Sequence, residues 1–356
     1  MVKLNPLTKK KLRRFRSIKR GYWSFLILVC LYLISLAGEL LVNKRALVVC
    51  YDGDFFFPTY GEQFSGKDFG LDYDYEVDYR ELKRKFISES SDDWVLMPLV
   101  PYGPYEMDYR LKESNGFSPP GFETGHFCGT DKTERDVLAR LLYGFRIAMT
   151  FAMGYLILTY LIAIAVGSFM GYLGGKSDML GLRFVEIWAN VPFLYMVIIL
   201  VSVMPGGWGI GWQVSSLLII MVLFSWTGMT YYIRASVYKE KARDYISAAK
   251  VIGAGPFRIV FKHLLPNVVS TLVTFAPFTI AAAISSITAL DFLGYGLPPP
   301  TPSWGELLKQ GVNNLRTAPW IVISTVTALV FTLTLVTFVG EAIREAFDPK
   351  KFSTYE

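Results

Sequence analysis

Charge, histidine and cysteine are all scarce in this sequence. Only 19% of its 356 residues are charged, whereas a soluble protein carries about 25%. There are only two histidines, and three cysteines are too few for a disulfide-rich scaffold. Because 52% of the residues are apolar or aromatic, the composition also excludes intrinsic disorder and indicates that much of the chain avoids water.

The usual motifs of catalytic and nucleotide-binding sites are missing as well. The sequence contains no His-x-x-x-His, Cys-x-x-Cys or Gly-x-Ser-x-Gly motif and no phosphate-binding Walker loop. We therefore expect a chain that is not an enzyme and that binds neither a metal nor a cofactor itself.

The net charge of +6 is distributed unevenly along the chain. Nine Lys or Arg residues fall within the first 20 positions, whereas residues 43–140 contain 19 acidic and 12 basic residues. Charge that is segregated in this way is typical of membrane topology. It does not form the basic surface of a nucleic-acid-binding protein, so we expect no nucleic-acid partner.

Six apolar runs are long enough to cross a hydrocarbon core about 30 Å thick as helices. The predicted spans are 22–42, 145–170, 184–204, 213–234, 268–290 and 319–340. The first run could instead belong to a signal peptide, but its length and its 20-residue basic lead favour an uncleaved anchor. The sequence thus predicts an all-α polytopic membrane protein with six transmembrane helices.

Basic residues in the short flanking segments predict the orientation of these spans. They place the basic N-terminus (1–21), the loop at 235–267 and the tail (346–356) in the cytoplasm, and residues 43–140 outside the membrane. We expect a core with five further spans over 141–345. The outer segment is rich in aromatic residues, Asp and turn signals, and Ala46–Tyr51 and Trp94–Val100 resemble short strands, which predicts a small β-rich extracytoplasmic insert.

The cytoplasmic loop at 244–267 predicts two short helices. Gly253 suits the left-handed end of the first helix, Pro256 suits the first turn of the second, and Pro266 is expected to end it. Ala248 and Ala249 would leave a flat surface for a partner protein. The alternative is an ordinary interfacial helix between two spans.

The same loop resembles the EAA loop of ATP-binding cassette (ABC) importer permeases, and further blocks match the dipeptide and oligopeptide subfamily (DppC/OppC-like). The loop residues are Asp244, Ser247, Ala248, Ala249, Gly253, Arg258, His263 and Pro266. The other blocks are Gly129–Asp131 with Arg135–Asp136, Phe292–Gly305, and Gly340–Pro349. In the outer insert, the segments beginning at Tyr51, Phe57, Asp68, Trp94 and Ser118 are similar to those of YejE-type permeases, which serve microcin C and oligopeptide import.

This resemblance implies a permease subunit in a bacterial inner membrane, surrounded by lipid. Its partners would be a second homologous permease, one or more ABC ATPase subunits that bind ATP and Mg²⁺, and an extracytoplasmic solute-binding protein. The loop at 244–267 would couple ATP hydrolysis to alternating access. The alternatives are a secondary transporter and a membrane-anchored sensor with an extracytoplasmic domain, neither of which requires such a loop.

Three further sites are predicted with open alternatives. Arg183 and Glu186, three residues apart, suit either an inner gate or interfacial anchoring. Trp304 and Trp320 suit the membrane–water interface and would belong to an outer lid over the pathway, or to a solvated hairpin. Cys50 and Cys128 would close the base of the insert as a disulfide, or remain two separate thiols.

Overall fold

The computed structural model describes residues 6–89, 92–109, 117–205, 207 and 209–348, so most of the predicted tail at 346–356 lies outside the described residues. The helices are α1 (Pro6–Ser17), α2 (Lys19–Leu36), α3 (Gly38–Leu41), α4 (Tyr79–Glu89), α5 (Val137–Leu173), α6 (Gly175–Ala189), α7 (Phe193–Ser202), α8 (Ile210–Lys241), α9 (Asp244–Val251), α10 (Pro256–Arg258), α11 (Leu265–Leu293), α12 (Trp304–Asn313) and α13 (Pro319–Phe347). The strands are β1 (Val48–Tyr51), β2 (Asp54–Phe56) and β3 (Trp94–Leu96).

Five helical segments are long and apolar enough to cross a membrane, namely α2, α5, α8, Pro256–Leu293 and α13. The predicted third span at 184–204 is not one helix, because α6 and α7 meet there at an angle of 69°. Pro192 precedes α7 and cannot continue the hydrogen-bond ladder of α6. The described residues therefore hold five continuous candidate spans, or six if this bent pair counts as one.

Close contacts between glycines and neighbouring helices hold the bundle together. Gly167 and Gly171 form a small-xxx-small pair on α5, and a Cβ at either position would approach a backbone oxygen of α8 within 2.9 Å. Gly21 of α2 likewise lies directly against Ala342 of α13. The helices pack at distances that larger side chains would prevent.

The insert is a mixed α/β unit rather than the predicted β-rich one. Its three short antiparallel strands have the order β2-β1-β3, and α4 packs on one face. The strands expected near Ala46–Tyr51 and Trp94–Val100 are confirmed as β1 and β3. The helix α4 was missed, although its buried Tyr79, Leu82 and Phe86 follow helical spacing.

The insert and the loop after α8 lie at opposite ends of α5. Tyr143, near the start of α5, donates a hydrogen bond to the Val42 carbonyl, and Val42 bridges to Val100 of the insert. The last turns of α5 instead pack against the segment that follows α9. At 1.5 Å per residue, the 37 residues of α5 separate the "insert end" from the "elbow end" by roughly 55 Å.

Candidate functional site

The loop at 244–267 folds into a helical elbow, which we define as Asp244–Leu264. The helix α9 ends at Val251, and Gly253 follows its C-cap residue with a φ of 86° that permits the two backbone hydrogen bonds of a Schellman motif. Pro256 occupies the first turn of α10. Both predicted helix boundaries are therefore confirmed.

Pro266 does not end the second helix, contrary to the prediction. A π-helical turn, Ile259–Leu264, leads directly into α11, and Pro266 lies in the first turn of that helix. The wider π turn changes the hydrogen-bond register just before the proline, where the missing N–H and the bulky ring would otherwise disrupt the helix. The elbow is consequently continuous with a membrane-length helix.

The tip of the elbow exposes three large apolar side chains. Val251, Ile252 and Phe257 are 87%, 86% and 81% exposed, and no described heavy atom would lie within 4 Å of a Cβ at Gly253. Isolated exposed apolar residues are common, but a contiguous group on a projecting turn is typical of a protein interface. The tip therefore has the character of a docking surface.

The base of the elbow is buried against the bundle. Ile246, Ile259 and Leu264 pack with residues of α5 and α8. Ala249 is buried, so it does not lie on an exposed docking face with Ala248 as predicted. Asp244, Ser247, Arg258 and Pro266 are exposed, and His263 is half-buried.

A polar contact that the sequence did not suggest fixes the elbow to two helices. The Tyr245 hydroxyl donates to Glu240 Oε2 of α8 at 2.9 Å and accepts from Asn267 Nδ2 of α11 at 2.9 Å. Burial and the neighbouring Glu240 carboxylate raise the pKa of Tyr245, which keeps the donating proton in place. These two hydrogen bonds attach α9 to both α8 and α11.

The predicted pair at the start of the broken third span forms as expected. Arg183 Nη1 lies 2.8 Å from Glu186 Oε2, and both side chains are well exposed. A neighbouring pair is more enclosed, since Arg234 of α8 binds both carboxylate oxygens of Asp178 at 2.5 and 2.6 Å. Asp178 and Arg234 were not predicted as partners because 56 residues separate them.

A buried charge cluster closes the insert end. Arg140 is 1% exposed and contacts both Glu306 of α12 and Asp131 of the connector, the irregular segment 117–136 before α5. Arg135 Nη2 binds Glu306 Oε1 at 3.1 Å and also pairs with Asp131. Two arginines and two carboxylates thus tie the start of α5 to α12.

The buried His126 lies beside this cluster, between two carboxylates. Its Nδ1 is 2.8 Å from Asp136 Oδ2 and its Nε2 is 3.4 Å from Asp108 Oδ2, while the ring stacks on Tyr102. Burial lowers the pKa of His126, but the hydrogen bonds to the two aspartates outweigh burial and raise it. An imidazolium can donate to both carboxylates at once, which a neutral imidazole cannot do.

The segment predicted to form an outer lid contains α12, and its tryptophans are not both at an aqueous interface. Trp304 is buried and its Nε1 donates to the Leu141 carbonyl at 3.0 Å. The half-buried Trp320 donates to the Thr130 carbonyl at 3.1 Å. Both indoles hold α12 and α13 against the connector and α5, since each indole finds a hydrogen-bond acceptor inside the protein.

The predicted disulfide is not formed. Cys50 and Cys128 are both free thiols. Cys50 lies in β1 opposite Phe55 and Trp94, whereas Cys128 packs against the core of the helix bundle. The two cysteines therefore belong to different hydrophobic environments, and the alternative of two separate thiols is correct.

Comparison with known proteins gives matches over the whole chain. The family described as "Binding-protein-dependent transport system inner membrane component" matches residues 163–353. The inner membrane ABC transporter permease protein YejE of Escherichia coli strain K12 is 38% identical, and the alignment covers 99% of this chain and 99% of that one. The peptidoglycan transport system permease protein YejE of Agrobacterium fabrum is 35% identical, covering 98% of this chain and 94% of that one.

Shorter matches extend to other peptide permeases. The oligopeptide transport system permease protein OppC of Escherichia coli strain K12 is 34% identical over 72% of this chain and 82% of its own. Among solved structures, the inward-facing MetNI methionine ABC transporter aligns with a TM-score of 0.48 and 16% identity, over 59% of this chain and 97% of that one.

Proposed function

Because this chain belongs to the family of binding-protein-dependent transport system inner membrane components, we propose that it is the permease subunit of an ABC importer for oligopeptides or peptide-like compounds of the microcin C type. The names of its relatives support a peptide-like solute, since they include oligopeptide and peptidoglycan transport permeases. The chain itself would be non-catalytic and would not bind ATP or Mg²⁺.

The proposed complex contains this chain, a second homologous permease, ABC ATPase subunits and an extracytoplasmic solute-binding protein. Solute would cross between the two permeases as they alternate between inward and outward openings. The elbow would receive the movement of the ATPase, and α12 would form the outer lid that faces the solute-binding protein. Arg183 and Glu186 remain candidates for an inner gate.

One observation carries this proposal: the elbow has an exposed apolar tip on a base that is buried against the bundle and hydrogen-bonded to it. The tip offers Val251, Ile252 and Phe257 to a partner, while the contacts of Tyr245 with Glu240 and Asn267 connect the base to two membrane-length helices. A membrane-anchored sensor would need no such element on the side opposite its insert. A permease that couples the movement of a partner protein to its helix bundle does need an exposed element of this kind.

Coupling is tested with Ile252→Asp in the assembled importer. The substituted side chain is exposed in this chain, so folding should be preserved, but a carboxylate buried at an interface without a partner costs several kcal/mol. We expect transport and solute-stimulated ATP hydrolysis to fall at least about tenfold. Phe122→Asp, at an 89% exposed position of the insert end, is the matched control. Equal activity of the two variants would contradict the proposal.

The orientation is tested separately by labelling single cysteines in intact spheroplasts. The basic α1 predicts that the elbow end faces the cytoplasm. Gln63→Cys in the insert should react with a membrane-impermeant maleimide, whereas Ser247→Cys in the elbow should react only after the membrane is opened. The reverse pattern would place the elbow outside and exclude its contact with an ATPase.

A further inference from the structure

An apolar groove lies between the last turns of α5 and the second arm of the elbow, which consists of α10 and the π-helical turn Ile259–Leu264. It has a volume of about 330 Å³ and opens to the exterior of the chain. Its walls include Ile164, Phe169, Val260, Phe261 and Leu265, together with Phe257, which the groove shares with the tip of the elbow. Phe169, Phe257 and Phe261 are largely exposed, so this chain leaves the groove unfilled.

The dimensions of the groove fit one acyl chain. It follows α5 from Ile164 to Leu173, which corresponds to roughly 14 Å of helix. The hydrocarbon of one bilayer leaflet is about 15 Å thick. The groove therefore spans one leaflet, at the end of the bundle where the elbow lies.

Two lysine side chains lie at the end of this groove near Tyr172, farthest from the membrane centre. Lys241 Nζ and Lys250 Nζ lie 5.6 and 5.9 Å from the ring centroid of Tyr172, which lines the groove. Lys241 Nζ donates to the backbone carbonyls of Tyr172 and Leu173 at the end of α5, and neither lysine forms an ion pair with a carboxylate of the described residues. The nearby Asp178 is bound on both oxygens by Arg234. The charge at this end is therefore complementary to an anionic headgroup.

From these observations we propose that the groove binds an anionic phospholipid. One acyl chain occupies the groove, and the phosphate lies beside Lys241 and Lys250. Basic pockets between membrane helices on the cytoplasmic side are a recurring form of lipid recognition. The assignment to the cytoplasmic leaflet rests on the proposed function and orientation, whereas the binding chemistry does not.

The lipid would stabilise the elbow from its second arm. Val260, Phe261 and Leu265 form one wall of the groove and lead directly into α11. A bound chain would fill the space between this wall and α5 and would limit movement of the elbow relative to the bundle. Occupancy would therefore tune how strongly the ATPase is coupled to the helices.

The test is lipid retention by the purified, assembled importer in nanodiscs that contain both phosphatidylcholine and phosphatidylglycerol. After transfer to detergent, native mass spectrometry counts the phosphatidylglycerol molecules retained on each intact complex. Lys241→Gln with Lys250→Gln should weaken retention by about fivefold for each lysine removed. The control is Lys239→Gln. Lys239 lies on α8, as Lys241 does, but it lines a separate polar cleft with Glu240 and Arg243.

A second variant tests the groove itself. Ala165→Trp fills it without altering charge and should abolish retention of the bound lipid, while intact complexes persist in the spectrum. Unchanged retention in both the double lysine variant and Ala165→Trp would overturn the proposal. So would a cysteine cross-link from Phe261→Cys to the second permease in high yield, which would show that a protein segment fills the groove. Since retention requires neither ATP nor solute, loss of coupling with normal lipid retention would count against the proposed function alone.

Discussion

At the insert end of α5 the charged side chains are buried and face one another, whereas at the elbow end large apolar side chains are exposed. Arg140, Glu306 and His126 find their partners within the chain. Val251, Ile252 and Phe257 do not. The difference indicates that the charged groups of the insert end are satisfied within the chain, whereas the apolar tip of the elbow end is left uncovered by it.

The largest expected effect comes from removing one charge of the insert end. Glu306→Gln leaves Arg140 without its strongest partner in a buried site. Breaking a buried ion pair costs 3–5 kcal/mol, and because Glu306 is 32% exposed we expect about 3 kcal/mol here. Thermal unfolding in detergent measures the loss. Glu62→Gln, at an exposed position of the insert, is the control. Equal melting temperatures would show that the insert end does not depend on its charges.

The next effect concerns the packing of α12. A Cβ at Gly305 would lie 2.1 Å from the Thr288 carbonyl oxygen and 2.4 Å from Asp291 Cβ. Gly305→Ala should therefore destabilise the protein by about 1–3 kcal/mol, through a shift of α12 away from α11. Gly228→Ala on α8, where no atom lies within 4 Å of the added Cβ, should leave stability unchanged or raise it. A neutral Gly305→Ala would contradict the close packing of α12 against α11.

A smaller effect is expected from pH. The pKa of His126 is raised in the folded state, so its stabilisation is fully present below the ordinary pKa of about 6.5 and is lost as pH rises through the raised value. We expect the stability difference between the wild type and His126→Gln to shrink as pH increases above neutrality. Parallel stability curves for the two proteins would show that the imidazolium does not support the insert end.

The smallest effect is expected from reducing agent. Because Cys50 and Cys128 are free, reduction should leave the melting temperature unchanged. A disulfide closing a loop of this length would instead contribute about 4.5 kcal/mol in the chain-entropy model. Alkylation without reductant, read by mass spectrometry, should modify both thiols, with Cys128 slower because burial raises its pKa. If both thiols reacted only after reduction, the prediction would be wrong and the two cysteines would form a disulfide.

The elbow shows what local sequence determines and what it does not. Gly253 and Pro256 mark helix boundaries because their backbone preferences act within one turn. The prediction for Pro266 is wrong because the helix can continue through this proline only after the π turn that precedes it. The burial of Ala249 depends on which face of α9 meets α5 and α8, and a helix of eight residues does not reveal that face.

The insert end was less predictable because its contacts join distant segments. Arg140 and Glu306 are 166 residues apart, and no periodicity relates them. His126 meets Asp108 and Asp136 through irregular loops, where only the folded path of the backbone brings the side chains together. The matching sequence blocks around Asp131 and Arg135 marked this region without indicating its chemistry.

The most direct test of the account is a cross-link between the elbow tip and the ATPase. A cysteine-free version of this chain carrying Ile252→Cys is assembled with its partners, and a bifunctional maleimide is added in the presence and absence of ATP. We predict a covalent product between this chain and the ATPase whose yield changes with ATP, and no such product from Phe122→Cys at the insert end. Failure of Ile252→Cys to cross-link while the complex remains assembled would contradict the assignment of the elbow as the coupling site.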